Sequence, residues 1–156
     1  MNKVKEFFKE RSLESRIQEF NESSATVDLA AKAIGCYPEQ IAKTLSFKVN
    51  DTFILIVAAG YAKICNTKYK SQFGTKAKML TSEEVLNNIG HSVGGVCPFV
   101  TQESVEVYLD ISLKRFHTVF TACGSSNCVI ELTLGELEQY SNYIAWIDVC
   151  KNWQDI

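Results

Sequence analysis

The pattern of apolar and polar residues along the chain predicts strands of two kinds. Residues 52–59 are apolar at every position except the first, which is typical of a central strand buried on both faces. Residues 43–49 alternate polar and apolar side chains, and Asn50-Asp51 marks a turn between these two strands. Further strands are predicted at residues 105–109, 118–122, 128–132 and 143–147, with a short edge strand near 17–20.

Helical periodicity and helix-end signals predict helices between some of these strands. Residues 27–34 carry apolar side chains at helical spacing, with Ser24 or Thr26 as the N-terminal cap and Gly35 at the end. Capping boxes begin at Thr81 and Thr133, each with a glutamate three residues later. Helices are therefore predicted at 2–11, 27–34, 63–73, 81–89 and 133–140, with one helical turn at 38–41. Helices between some strands and hairpins between others predict an α+β fold with a curved, mixed sheet.

Composition fits a single globular domain over residues 1–156. Hydrophobic residues make up 46% of the chain and charged residues 22%, which excludes a disordered chain. The longest apolar runs, 53–59 and 143–147, are too short to cross a bilayer. The N-terminal residues alternate charged and apolar side chains without the hydrophobic segment of a signal peptide, so we expect a cytoplasmic protein that does not contact membranes.

The six cysteines form no Cys-x-x-Cys pair, and we expect them to be reduced and mostly buried. Only His117, Cys123 and Cys128 come close together in sequence as candidate metal ligands, and their spacing does not match a zinc site. We therefore expect no metal ion.

Charge is distributed unevenly along the chain. The net charge is −2, which excludes a nucleic-acid binder held by overall basicity, so we expect no DNA partner. No acidic residue lies between Asp51 and Glu83. That interval contains five lysines: Lys63, Lys68, Lys70, Lys76 and Lys78. Such a segment is either a solvated face or a surface that contacts phosphates.

The glycine-rich stretch Ser92-Val93-Gly94-Gly95-Val96-Cys97-Pro98-Phe99 interrupts an otherwise apolar run. Adjacent glycines let the backbone approach a ligand closely, so the main chain of this loop is a candidate for substrate recognition; the alternative is a plain turn. Cys97 could pair with His91 or His117 as a nucleophile if the loop amides lower its pKa. The alternative for Cys97 is a thiol that only packs.

Lys43 opens a strand among apolar neighbours, Ile41, Ala42, Leu45 and Phe47. Its ammonium either reaches water along the sheet surface or is fixed as a point charge toward a phosphate or carbonyl oxygen. The sequence leaves both interpretations open.

Four segments together resemble one known family. They are Ile41-Ala42-Lys43-Thr44-Leu45-Ser46-Phe47, Gly94-Gly95-Val96-Cys97-Pro98-Phe99, Tyr108-Leu109-Asp110-Ile111-Ser112-Leu113, and Ala122-Cys123-Gly124 leading into Val129-Ile130-Glu131-Leu132. In this order and spacing they resemble the YbaK/prolyl-tRNA-synthetase-associated editing domain family. The resemblance covers residues 17–146 and implies a barrel-like, largely antiparallel sheet.

The resemblance implies hydrolysis of misacylated tRNA, chiefly tRNA for proline that carries alanine or cysteine, without a cofactor. A synthetase pocket shaped for proline cannot strongly reject smaller side chains, since a missing methylene is worth only about 1–3 kcal/mol, and a second hydrolytic site supplies the discrimination. The implied partners are the acceptor end of aminoacyl-tRNA and, as a candidate, prolyl-tRNA synthetase.

The resemblance also assigns residues. Lys43 is the implied anchor for the aminoacyl end or terminal phosphate, and Gly94, Gly95 and Pro98 belong to the family's Gly-x-x-x-Pro loop, whose main chain holds the ester. The further candidates for substrate contact are Thr44, Val96, Cys97, Asp110 and Gly124, although Asp110 also suits a structural strand end. Our candidates for contact with tRNA are Lys63, Lys68 and Lys70.

Some positions depart from the family pattern. Tyr61, Val100 and Cys123 stand where relatives often carry aspartate, glycine and a small residue, and Ser126 replaces a common proline. These departures motivate a second hypothesis, a module that binds an aminoacyl-tRNA end, a nucleotide or a protein without hydrolysis. A third hypothesis is a thiol-dependent hydrolase or redox protein built on Cys97.

Overall fold

The computed structural model describes residues 2–91 and 94–153. Its helices are α1 (Lys3–Lys9), α2 (Val27–Ile34), α3 (Asn66–Phe73), α4 (Ser82–Glu84) and α5 (Leu134–Ser141). Its strands are β1 (Ile17–Glu19), β2 (Ile41–Val49), β3 (Thr52–Ala59), β4 (Lys63–Ile64), β5 (Glu106–Asp110), β6 (Thr118–Ala122), β7 (Cys128–Thr133), β8 (Ala145–Ile147) and β9 (Cys150–Lys151). Single 3₁₀ turns lie at Glu14–Arg16, Pro38–Gln40 and Ile111–Arg115, and a π turn, Val85–Ile89, continues α4.

Seven strands form one mixed sheet in the order β1-β7-β6-β2-β3-β5-β8. The hairpins β2–β3 and β6–β7 and the β1–β7 pair are antiparallel. The pairs β2–β6, β3–β5 and β5–β8 are parallel, so the antiparallel share of the sheet is smaller than expected. No pairing of the described residues joins β1 to β8, and the sheet is not closed. The predicted mixed sheet with flanking helices is confirmed.

The core lies around the central strand β3, as its apolar sequence predicts. Residues 54–59 are almost fully buried, since β2 and β5 pair with the two edges of β3 and its side chains belong to the main core cluster. A smaller cluster lies under α2, where Ala30 and Ala31 pack near Ile41, Phe120 and Val129. Among the described residues, no helix is long and apolar enough to cross a membrane.

The predicted helix caps are confirmed by the backbone. The hydroxyl of Thr26 accepts a hydrogen bond from the N–H of Leu29 at the start of α2. Thr81 and Thr133 form the predicted capping boxes. Gly35, Gly74 and Gly90 end their helices in the left-handed conformation that favours glycine.

One predicted helix begins too early. Lys63 and Ile64 form β4 and pair with β9, so α3 begins only at Asn66. The N–H of Cys65 donates to the carbonyl of Val149 at 2.8 Å, which holds the chain extended up to the helix. The partner strand lies almost 90 residues away in sequence, and the local pattern therefore gives no sign of it.

The expectation of reduced cysteines is wrong for one pair. Cys123 and Cys128 form a disulfide across the β6–β7 hairpin, where the N–H of Cys123 also donates to the carbonyl of Cys128 at 3.1 Å. The hairpin register places the two residues opposite each other, which their spacing in sequence does not reveal. Residues 2–91 and 94–153 contain no group of three side chains that could hold a metal ion.

Candidate functional site

A cavity of about 430 Å³ opens where β2 and β6 separate. The two strands pair only at Ile41–Phe120 and Ala42–Thr121. Further along β2, the segment 78–80 takes over the same edge: the N–H of Leu80 donates to Ser46 and the N–H of Lys48 donates to Lys78. The gap between these two attachments is the mouth of the cavity. Its wall includes Ser24, Ala25, Thr26, Val27, Ala30, Lys43, Thr44, Leu45, Met79, Leu80, Val85, Gly94, Val96, Phe120 and Val129.

Thr44 presents main-chain groups to this gap. In an antiparallel pair, alternate residues direct their N–H and C=O groups to the two edges of a strand. Gly60 donates to the carbonyl of Ile41, so the odd-numbered residues of β2 face β3 and the even-numbered residues face the opposite edge. The ladder with β6 stops at Ala42 and the segment 78–80 begins at Ser46. The strand therefore offers one donor and one acceptor at Thr44 to a molecule in the cavity.

Lys43 is a half-buried cation on the wall of the cavity. Its Nζ donates to the carbonyl oxygen of Ala62, just beyond the end of β3. Burial lowers the pKa of Lys43; nearby Cys150 opposes this shift and Lys63 adds to it. The interpretation of Lys43 as a fixed point charge therefore fits the structure better than a side chain extended freely into water.

The glycine loop forms the facing wall and depends on both glycines. Gly94 lines the cavity with φ +92°, and a Cβ at this position would lie 3.3 Å from the Cβ of Ser126. A Cβ at Gly95 would lie 2.7 Å from the backbone of Gly124 and Ser125, closer than real Cβ contacts allow. The loop thus lies directly on the β6–β7 hairpin. Ser92 and Val93, the first residues of the predicted loop, lie outside the described residues.

A model of the aminoacyl-tRNA editing domain matches residues 21–140, which include β2, the glycine loop and the β6–β7 hairpin. This chain belongs to that family. The predicted resemblance is therefore confirmed.

Individual relatives of this editing domain differ in how much of the chain they share. YwhH of Bacillus subtilis, an uncharacterised protein, is 53% identical over 155 residues, or 99% of both chains. The proline–tRNA ligase of Staphylococcus aureus is 31% identical over 86 residues, which are 54% of this chain and 15% of the ligase. A crystal structure of a proposed trans-editing enzyme for prolyl-tRNA synthetase matches with a TM-score of 0.81 at 25% identity, covering 97% of this chain and 99% of that one.

Cys97 lies behind the cavity wall of the editing domain and has no exposed surface. Burial raises the pKa of its thiol to about 12 and outweighs the effect of the hydrogen bonds between the thiol and the backbone of Phe99 and Gly124. Its Sγ lies 3.7 Å from Nε2 of His91, and burial lowers the pKa of that imidazole. The backbone hydrogen bonds act to lower the pKa of Cys97, but desolvation decides the sign, which favours the alternative of a thiol that only packs. Pro98 is also buried, beside Cys97.

Asp110 and Gly124 do not line the cavity. Asp110 is fully buried on β5, where its carboxylate accepts hydrogen bonds from the N–H groups of Ser112 and Val149, both at 2.9 Å. The sequence left Asp110 open as a substrate contact or as a structural residue at the end of a strand, and these contacts support the structural role. Gly124 has φ +93° and supports both the glycine loop and Asn2 of the N-terminal segment.

The candidate lysines are dispersed. Lys63 is exposed close to Lys43, and Lys70 is exposed on α3. Lys68 forms an ion pair with Asp148 at 2.9 Å and donates to the carbonyl of Cys150. The structure brings none of the three to the cavity wall.

Three other lysines lie together in a groove next to the cavity. Lys48, Lys76 and Lys78 line this groove of about 360 Å³, whose wall contains no carboxylate. The segment 76–80 connects the groove to the cavity, since Met79 and Leu80 line the latter. The pairing of Lys48 with Lys78 across strands could not be found from the sequence, although the spacing of Lys76 and Lys78 places both on one face of an extended segment.

Proposed function

We propose that this protein hydrolyses the ester bond between a wrong amino acid and its tRNA, acting in trans on tRNA that a synthetase has released. Membership of the editing family and likeness to a proposed trans-editing enzyme support the class of reaction. The observation that carries the proposal is the cavity at which Lys43, the open edge at Thr44 and the main chain of Gly94 meet.

The proposed substrate is tRNA for proline that carries a small amino acid such as alanine or cysteine. Similarity to proline–tRNA ligase over 86 residues supports the tRNA. The apolar part of the cavity, with Ala25, Val27, Ala30 and Leu80, suits a small uncharged side chain. Since prolyl-tRNA synthetase makes this substrate, it is the proposed supplier and a candidate partner.

The proposed mechanism needs no side-chain nucleophile. A water molecule attacks the ester carbonyl, the bond from the carbonyl carbon to the ribose oxygen breaks, and a proton passes to that oxygen. Main-chain N–H groups fixed by the glycine loop and by Thr44 stabilise the negative charge that develops on the carbonyl oxygen. The Lys43 ammonium holds the terminal phosphate as a point charge. The fully protonated, buried thiol of Cys97 takes no part.

The RNA is proposed to leave the cavity along the segment 76–80. The groove of Lys48, Lys76 and Lys78 lies in this direction and offers positive charge for phosphates. Lys68, which is already paired with Asp148, is a weaker candidate than these three.

A deacylation assay tests the proposal, with tRNAs charged with alanine, cysteine or serine. We expect wild type to hydrolyse at least one of them. Lys43→Ala loses the group that positions the phosphate and Gly94→Ala displaces the loop, and each should lose about 100-fold in rate, the order of magnitude that misplacement of the substrate costs. Cys97→Ser is the matched control and should keep most of the activity. Loss of activity in Cys97→Ser with Lys43→Ala unaffected would instead support the thiol-dependent hydrolase.

The binding module is the second candidate, and the departures from the family pattern at Tyr61 and Val100 motivate it. Tyr61 and Val100 have φ +67° and +52°, which are unusual for residues other than glycine. Binding of uncharged tRNA without hydrolysis of any aminoacyl ester would support this module and exclude the deacylase.

A further inference from the structure

Tyr61 is an exposed aromatic residue beside the end of the Lys43 side chain. It lies between Gly60, which closes β3, and Ala62, whose carbonyl oxygen accepts the hydrogen bond from Nζ of Lys43. The tyrosine is 48% exposed although its neighbours Gly60 and Ala62 are buried. The ring therefore projects from a rigid part of the fold at the outer end of the proposed catalytic site.

Tyr61 is held in an unfavourable backbone conformation. Its φ of +67° is rare for a bulky side chain, and such conformations persist only where the surrounding structure imposes them. Gly60 imposes the position of the turn: a Cβ there would lie 2.1 Å from the carbonyl oxygen of Pro38 and 2.7 Å from a methyl group of Val27. Since about half of its surface is exposed, Tyr61 lies outside the buried core, and its ring has a face open to a ligand.

A hydrogen bond fixes the outer end of the ring. The hydroxyl of Tyr61 donates to the carboxylate of Asp28, in the first turn of α2. The adjacent residue, Val27, lines the cavity. The ring is thus attached to the sheet at one end and to α2 at the other, and it loses little conformational entropy when a flat molecule packs on its face.

The charges around Tyr61 disfavour a phosphate on its ring and leave the ring available to an uncharged group. The carboxylates of Asp28 and Glu39 lie close enough to raise the pKa of the tyrosine hydroxyl, above all through the hydrogen bond that the hydroxyl donates to Asp28. Lys63 lies near Lys43. A phosphate is repelled by the two carboxylates and attracted by the two lysines, so an uncharged aromatic group is the better occupant of the tyrosine face.

We propose that the ring of Tyr61 is the platform on which the base of the 3′-terminal nucleotide of the RNA substrate stacks. The inference rests on the proposed function, in which the ester lies in the cavity and the terminal phosphate lies at Lys43. The ester is attached to the ribose, from which the base and the phosphate extend in different directions. With the phosphate at Lys43, the base reaches the neighbouring position outside the cavity, where Tyr61 is exposed.

The test is a cycle of four measurements on a short aminoacylated RNA hairpin. Its 3′-terminal nucleotide carries either its base or no base, and kcat/KM is measured for wild type and Tyr61→Ala. One stacked base accounts for about 5- to 150-fold in affinity, so we expect Tyr61→Ala to lower kcat/KM by a factor in this range, mainly through KM. Removal of the base should lower kcat/KM of wild type by the same factor and should leave kcat/KM of Tyr61→Ala unchanged.

Two control variants separate stacking from other effects. Tyr61→Phe keeps the ring and loses the hydrogen bond to Asp28, and should retain most of the discrimination between the two RNAs. Tyr37→Ala removes a tyrosine that is 74% exposed beyond the other end of α2, and should behave as wild type. Thermal unfolding of each variant shows whether it is folded at the assay temperature.

The outcomes distinguish this inference from the proposed function. Suppose that wild type hydrolyses both RNAs. If the effects of Tyr61→Ala and of base removal on kcat/KM then multiply, or if Tyr61→Ala has the kcat/KM of wild type, stacking at Tyr61 is excluded and the proposed deacylase activity is retained. If wild type hydrolyses neither RNA, the deacylase is excluded. The Kd values of wild type and Tyr61→Ala for the two uncharged hairpins are then measured in the same cycle. Coupling between Tyr61 and the base in those Kd values would support the platform without the hydrolysis.

Discussion

At the scale of single residues, environment decides which side chains can act. Cys97 has the reactivity of a candidate nucleophile in the sequence, but its complete burial raises the pKa of the thiol to about 12. Lys43 is only partly buried, and its ammonium keeps a backbone partner at Ala62. The same physical effect, loss of solvation of the charged form, therefore keeps the thiol of Cys97 protonated and only lowers the pKa of Lys43, which supports the proposed roles of both residues.

Lys43 also predicts a pH dependence. Burial lowers the pKa of Lys43 below its ordinary value of 10.5, because the ammonium loses solvation. An activity that needs the ammonium is complete well below this lowered pKa and falls as the pH rises through it. We expect the alkaline limb of the deacylation rate to lie below pH 10.5 in wild type. In Lys43→Arg, the residual activity should persist to higher pH, since a guanidinium stays charged.

A pH–rate profile under single-turnover conditions, corrected for spontaneous ester hydrolysis, measures the alkaline limb of wild type and that of Lys43→Arg. Cys97→Ser serves as the control with an unchanged profile. Identical alkaline limbs in wild type and Lys43→Arg would show that the charge of Lys43 is not required.

At the scale of elements, the cavity exists because two strands part. β2 pairs with β6 over only two residues, and the glycine loop then packs on the tip of the β6–β7 hairpin. The disulfide between Cys123 and Cys128 closes the same hairpin. The position of the loop therefore depends on close backbone contact with this hairpin, which only glycine permits.

A pair of glycine substitutions tests this dependence. Gly95→Ala places a Cβ 2.7 Å from the backbone of Gly124 and Ser125, so loop and hairpin must move apart. We expect a loss of about 1–3 kcal/mol in the free energy of unfolding, typical of overpacking, together with at least a tenfold loss of deacylation. Chemical denaturation and the deacylation assay measure the two effects.

Gly135→Ala is the matched control. Gly135 lies in α5, where the nearest atom to an added Cβ is 3.9 Å away, so the substitution should raise stability by up to about 1 kcal/mol through helix propensity. If Gly95→Ala proved as stable and active as Gly135→Ala, the contact between loop and hairpin would not define the site.

At the scale of the whole molecule, two concave regions lie along one extended segment. Residues 76–80 run beside β2 from the lysine groove to the cavity, and an extended chain covers about 13 Å in four residues. The net charge of the protein is −2, so we attribute the proposed attraction of RNA to this local concentration of lysines. The arrangement suits an RNA end whose ester enters the cavity while its backbone follows the groove.

The salt dependence of activity tests this path. Each lysine that contacts a phosphate of single-stranded RNA adds about 0.7 to the slope of log(kcat/KM) against log[salt]. We expect the double variant Lys76→Ala/Lys78→Ala to reduce that slope by about 1.4, whereas Lys68→Ala/Lys70→Ala leaves it nearly unchanged. A larger reduction of the slope in Lys68→Ala/Lys70→Ala would indicate that the RNA backbone contacts α3 instead of the groove.

Deacylation of an aminoacyl dinucleotide, too short to reach the groove, provides the internal reference. Both double variants should hydrolyse it as wild type does. A loss on this short substrate would mean that the lysine substitutions disturb the cavity itself.

Local sequence was sufficient for most elements. The apolar run at 52–59, the alternating run at 43–49 and the capping threonines at 26, 81 and 133 form strands and caps where predicted. These features depend on residues within a few positions of each other, and a helix cap or a turn needs no distant partner. The family segments also carried the choice of Lys43, Thr44, Gly94 and Val96, all of which line the cavity.

Tertiary structure alone decided the remaining features, because each depends on residues far apart in the chain. The strand β4 forms through pairing with β9. The carboxylate of Asp110 accepts a hydrogen bond from the N–H of Val149, which lies 39 positions further along the chain. Solvation set the pKa of Cys97, and hairpin register joined Cys123 to Cys128. The sequence by itself determined the family, most of the elements and most of the helix caps. The packing between distant segments determined β4 and β9 and which candidate residues reach the cavity, since burial and main-chain exposure are properties of the assembled sheet.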